Sequence, residues 1–176
     1  MTDDDLSAVP ESSILMASAN YILAPDICEL GKYNKKKWGY YGYKSIFHLH
    51  PNSFVFDVNK IHKSLINKDY FFIRTVSANS THDVGKRGID DNLLRKIIKV
   101  LKNHGDIILN SERELPDDLQ KHVLDFHKND VAHYVSNAKI FISDSTTMCA
   151  EAAVMAVPAI EIDDWFADFK QYNELN

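Results

Sequence analysis

The densest run of chemically useful side chains lies between Phe141 and Ala153, which reads Phe-Ile-Ser-Asp-Ser-Thr-Thr-Met-Cys-Ala-Glu-Ala-Ala. An apolar strand pattern leads into hydroxyls, and the hydroxyls lead into a helix of small residues. The first N–H groups of a helix have no partner within it and carry a partial positive charge, so they suit an anion. Ser143, Asp144, Ser145, Thr146 and Thr147 make up the turn, and Ser145, Thr146 and Thr147 add hydroxyl donors at that point. Glu151 falls about one turn inside the helix, where its carboxylate could accept both hydroxyls of a ribose. A nucleoside diphosphate would use both features. A plainer account uses the same residues: Ser and Thr are ordinary helix N-caps, and Glu151 simply faces solvent.

A second polar cluster, Thr81-His82-Asp83-Val84-Gly85-Lys86-Arg87, sits between an apolar run and a helical pattern. His82 can donate to a diphosphate or act as acid or base near neutral pH, with Asp83 beside it. Lys86 and Arg87 would offset anionic charge. As a plain surface loop the same stretch needs no chemistry. His48 and His50 have strand-type spacing and no Cys or carboxylate set around them, so packing explains them better than a metal. His122, His127 and His133 show no ligand spacing, and no metal site is expected. Tyr40, Tyr41 and Tyr43 can stack on a base or pack across a hinge, and Asp163-Asp164-Trp165 can border a sugar. Walker A, dinucleotide-glycine and nucleophile-elbow patterns are all missing from the sequence.

These candidates must be held by something. Residues 19–24 read as a short buried strand closed by Pro25, and residues 31–52 as a connecting segment whose Lys35-Lys36-Lys37 run is a solvated turn. From Tyr70 the text alternates. Strands are expected at 70–76, 106–110, 139–143 and 158–162, with a short one at 122–126. Helices are expected at 90–103, 129–138 and 147–156. In the first helix Leu93, Leu94, Ile97, Ile98 and Leu101 form one apolar face, Asp90 or Asp91 caps the start, and Gly105 marks a left-handed stop. Such alternation predicts an α/β fold, a three-layer doubly wound parallel sheet with ligands beyond the carboxyl ends of its strands.

With 176 residues the chain has room for one full domain and a piece of another, and 45% hydrophobic with 26% charged residues excludes disorder. A net charge of −5 gives no general basic surface for nucleic acid. Two cysteines form no disulfide framework, the acidic start is unlike a secretory signal, and no apolar run spans a bilayer. A cytoplasmic protein without an integral membrane segment is expected.

The turn and Glu151 resemble the serine-aspartate-serine-glycine-glycine turn and glutamate of UDP-N-acetylglucosamine 2-epimerases, which belong to the GT-B superfamily. More of the chain, residues 19–165, resembles an uncharacterised set of predicted glycosyltransferases allied to them. The marks are Tyr40 to Lys44 with Leu49-His50-Pro51, the loop Thr81 to Gly85, and Glu151 to Ile160. The resemblance implies the C-terminal Rossmann-like half of a GT-B protein in glycan biosynthesis. Residues 1–52 would be a remnant of the N-terminal domain plus hinge, and 53–176 an incomplete nucleotide-sugar-binding domain. A UDP-sugar is then the substrate and no separate cofactor is implied. His82 and Asp83 would face a partner, either an N-terminal domain or a second copy in a homodimer. Thr146-Thr147 stand where the epimerases have glycines, so the backbone approaches a phosphate less closely and hydroxyls compensate. A chain cut short at both ends would turn over little. The alternative is a non-catalytic interaction module that keeps the fold.

Overall fold

The computed structural model describes residues 2, 5, 6, 10–77 and 88–163. A turn of 3-10 helix, Pro10–Ser12, leads into α1 (Ser13–Ser18), followed by β1 (Ile22–Pro25), a 3-10 helix (Gly31–Lys36), β2 (Lys37–Tyr40) and α2 (Ile46–Leu49). β1 and β2 pair in parallel as a two-stranded sheet, with Leu23 opposite Trp38. The strand expected to close before Pro25 includes it. Proline has no N–H to give a ladder, and the last position of a two-stranded sheet asks for none.

The segment expected to be mere connection holds β2 and α2, and the lysine run is not a solvated turn. Lys36 Nζ donates to the carbonyls of Met16, Ala17 and Ala19 at 3.1, 2.9 and 2.8 Å. These are the orphan carbonyls at the end of α1, and a cation there satisfies them and the helix dipole together. Lys37 Nζ donates to Asp26 and Cys28 carbonyls, both at 2.9 Å. Met16, Ile22, Ala24, Cys28, Leu30 and Tyr33 form a small core beneath.

The larger sheet is built from β3 (Tyr70–Thr75), α3 (Asp91–Leu101), β4 (Asp106–Ser111), α4 (Asp117–Gln120), α5 (Val131–Ser136), β5 (Ile140–Ser143), α6 (Thr146–Val154) and β6 (Ala159–Glu161). All four strands are parallel, in the order β4-β3-β5-β6. Alternation along each strand sends side chains to two faces. Ile73, Leu109 and Ile142 meet Leu94 and Ile98 of α3 on one face. Tyr70, Phe72, Ile108 and Phe141 meet Tyr134 and Val135 of α5 and Cys149 and Ala152 of α6 on the other. Each fully buried large aliphatic side chain stabilises this by about 1.5–3 kcal/mol. The fold is α/β and Rossmann-like, and among the described residues no helix is long and apolar enough to cross a membrane.

Local departures have local causes. Asp90 caps α3 as expected, its carboxylate accepting from Leu93 N–H at 2.7 Å. Gly105 is not a left-handed stop, since only Gly31 and Gly42 among the described glycines have positive φ. A Cβ at Gly105 would stand 2.7 Å from the Asp69 carbonyl oxygen, so the residue is small because backbone approaches it. The expected strand at 122–126 reduces to a bridge between Leu109 and Val123, because α4 ends immediately before it. α6 stops at Val154, ahead of the expected end, and Ala156 turns left-handed with φ 59°.

The connectivity creates one special place. From β3 the chain moves to the edge strand β4, then crosses back over β3 to β5 on its other side. The chain therefore leaves the carboxyl ends of the neighbours β3 and β5 in opposite directions, which opens a crevice at the topological switch point.

Candidate functional site

β5 ends at Ser143, in register with Arg74 of β3 and Glu161 of β6. Ser143 is fully buried and its Oγ accepts the N–H of Ser145 at 3.0 Å. Ser145 is the N-cap of α6, its Oγ accepting from Met148 N–H at 3.4 Å. Thr146 Oγ1 donates to Asp163 at 3.4 Å, and Thr147 is exposed. The Ser143 and Ser145 hydroxyls thus do the ordinary capping work, while no described residue accepts the N–H of Thr146 or Thr147. Those two amides open α6, whose buried Ala150 and Ala152 let it lie close to the sheet.

Asp144 is buried, with a different task. Its Oδ1 accepts from Val76 N–H at 2.8 Å and its Oδ2 from Ile89 N–H at 3.0 Å. Val76 follows β3 directly and Ile89 precedes α3, so one carboxylate holds the chain where it leaves β3 and where it enters α3. Burial pushes its pKa up, and the bonds from Ile89 and Val76 with the Arg113 charge oppose that. A Cβ on Gly88 would lie 2.8 Å from the Asp144 Cβ, so the close approach of the chain requires glycine there.

Glu151 is partly buried on α6, and its Oε1 lies 3.4 Å from His48 Nε2 of α2. Burial raises its pKa, and His48 is the foremost opposing influence, followed by Lys44 and Arg74. Arg74 stands at the carboxyl end of β3 and on the α6 side, with its guanidinium bound to Asn110 and Glu112. Its Nε is buried without a hydrogen-bond partner. At the end of β6, burial lifts the Glu161 carboxyl to about 8, with its hydrogen bond to Asp163 acting the same way and the one to Thr146 opposing. This raised carboxyl lies next to the start of α6. Cys149 is buried between the Ser143 and Ile160 carbonyls, and its thiol is held neutral, mainly by burial.

His82 and Asp83, with Lys86, Arg87, Asp164 and Trp165, lie outside the described residues. His50, His127 and His133 each accept a backbone N–H through Nδ1, from Asn52, Asn129 and Asp57 respectively. Among the described residues no group of His, Cys, Asp or Glu could hold a metal. A cavity of about 360 Å³ lies at the amino end of β4, lined by Lys102, Lys121 and His122 among others, away from the switch point. The sequence pattern did not single out Arg74 or Glu161, though each is a charge at the end of an apolar strand, and His48, read there as packing, instead contacts Glu151 on a helix remote in sequence. Comparison with protein families, curated proteins and solved structures finds no match to the chain.

Proposed function

We propose that the chain is the nucleotide-sugar-binding half of a GT-B-type carbohydrate-active protein, a glycosyltransferase or an epimerase-like relative, and that its ligand is a UDP-sugar. The observation that carries this is the position of the Ser143 to Thr147 turn, which follows β5 at the topological switch point. The free N–H groups of Thr146 and Thr147 are the seat for the diphosphate, reinforced by the partial positive charge of the helix start. Glu151 takes the ribose hydroxyls, and Ser143 and Asp144 shape the turn from beneath. Arg74 supplies positive charge at the end of β3, and the raised pKa of Glu161 lessens the negative charge that an anion meets beside α6. His82 and Asp83 are assigned to the wall of the cleft that meets a partner, and chemistry waits on that partner because both walls must position the reacting groups.

Thermal denaturation with UDP tests this. At about one hundred times the dissociation constant, stabilisation should reach about 2.7 kcal/mol, roughly 5 to 10 °C in Tm for a chain this size. Thr146→Pro, which removes one of the two amides, and Glu151→Ala should each abolish the shift, and no shift with millimolar UDP would sink the proposal.

The rival reading, an interaction module that keeps the fold without the chemistry, rests on a different feature. Leu23 and Trp38 share the outer face of the two-stranded sheet, with the Tyr21 ring tilted against Trp38 at 5.1 Å between centroids, and Tyr21 and Trp38 are 70% and 64% exposed. Parallel sheets are ordinarily covered on both faces. Concentration-dependent association in sedimentation, abolished by Trp38→Ser, together with silence toward UDP, would favour it.

A further inference from the structure

We infer that His48 is a positioning residue for the nucleotide site: from the hinge-side helix α2 it holds the Glu151 carboxylate in the orientation in which a ribose can be received. The inference rests on the nucleotide reading above and adds a residue from outside the four-stranded domain to it.

Glu151 belongs to α6, which packs by its alanine face on the sheet, so its carboxylate reaches toward α2. A carboxylate that accepts from two vicinal hydroxyls must be ionised and must present one edge consistently. Partial burial works against ionisation here, because removing a charge from water disfavours it. The groups that face Glu151 are His48 from α2, Lys44 from the segment before α2, and Arg74 from β3. Arg74 already binds Asn110 and Glu112, which leaves its charge to act at a distance. His48 makes a direct contact, Nε2 to Oε1 at 3.4 Å, and 58% of its side chain is exposed. It engages one carboxylate oxygen from the solvent side. A donor fixed in this way restricts the carboxylate's rotation and favours its charged form, and the second oxygen stays available.

The exposure of His48 makes it suitable for substitution without loss of fold. His48→Ala removes the donor, and His48→Gln restores a neutral donor of similar reach. UDP affinity measured by calorimetry should fall about tenfold in His48→Ala, the cost of one hydrogen bond to a charged acceptor, and largely return in His48→Gln. A purely structural role would leave the Glu151 titration unmoved. Followed by carboxyl-carbon NMR without ligand, the Glu151 titration should move to higher pH in His48→Ala. If UDP binds the wild type and both variants equally, or if the titration stays in place, His48 has no such role and the nucleotide reading survives. If the wild type does not bind UDP, the nucleotide reading itself is lost, and the role of His48 with it.

Discussion

The two ends of the four-stranded sheet use the same kinds of side chain to opposite effect. At the amino ends, Lys68 meets Asp106 at 3.2 Å and Lys139 meets Asp69 at 2.7 Å, and more than half of each of the four side chains is exposed. At the carboxyl ends, Thr75, Ser143 and Asp144 are buried, and each has a protein partner: Thr75 Oγ1 bonds Ser111 Oγ at 2.9 Å, and the other two hold backbone amides. Solvated pairs gain little, because water competes for both members. Buried polar groups fix geometry, because leaving any of them unpaired is costly. The carboxyl end is therefore the shaped end, and the amino end is soluble surface with lysines to spare.

The sharpest way to break that contrast is Asp144→Ala. It strands the amides of Val76 and Ile89, so chemical denaturation should show a loss of about 3 kcal/mol, from roughly 1–3 kcal/mol for each unsatisfied buried group. Gly88→Ala should cost about 1–3 kcal/mol through crowding against Asp144, and much less when Asp144 is already alanine, which a double-mutant cycle would read as coupling. A loss under about 0.5 kcal/mol in Asp144→Ala would place that carboxylate with the solvated pairs instead.

A smaller effect separates the ends by pH. The Glu161 carboxyl is lifted from 4.5 to about 8, so the folded chain keeps a proton that the unfolded chain releases. The sign follows: its contribution is full below about 4.5 and is lost as pH rises through about 8. Wild-type Tm should therefore decline relative to Glu161→Gln across that window, and parallel curves for the two proteins would refute the raised pKa of Glu161. Smallest of all is Lys139→Ala, which breaks an exposed pair and should change stability by no more than about 0.5 kcal/mol in the same denaturation assay.

Much of the frame could be read directly from the residue pattern. The apolar stripe of α3 and its Asp90 cap, the β-rich runs at Tyr70 and Ile140, and the hydroxyl cluster after Phe141 each carry their signal within a dozen residues. β2 could not be found that way, because Lys-Trp-Gly-Tyr has no alternation and is held by Lys36 and Lys37 reaching back to carbonyls far upstream. The turn showed its hydroxyls but not their use. Ser145 reads as a cap in any context, whereas the two amides that Asp144 grips lie one strand away. The contact of His48 with Glu151 is invisible for the same reason, since it exists only once α2 and α6 are brought together.

The grip of Asp144 on Val76 and Ile89 separates the frame from whatever lies between them. Both flanks are fixed by Asp144, just after β5, and each doubling of the length between two such fixed points adds only about 0.6 kcal/mol of entropic penalty. A change of length between those two points is expected to leave the register of the strands in place. Such a frame can take an insertion at one point without surrendering its own geometry.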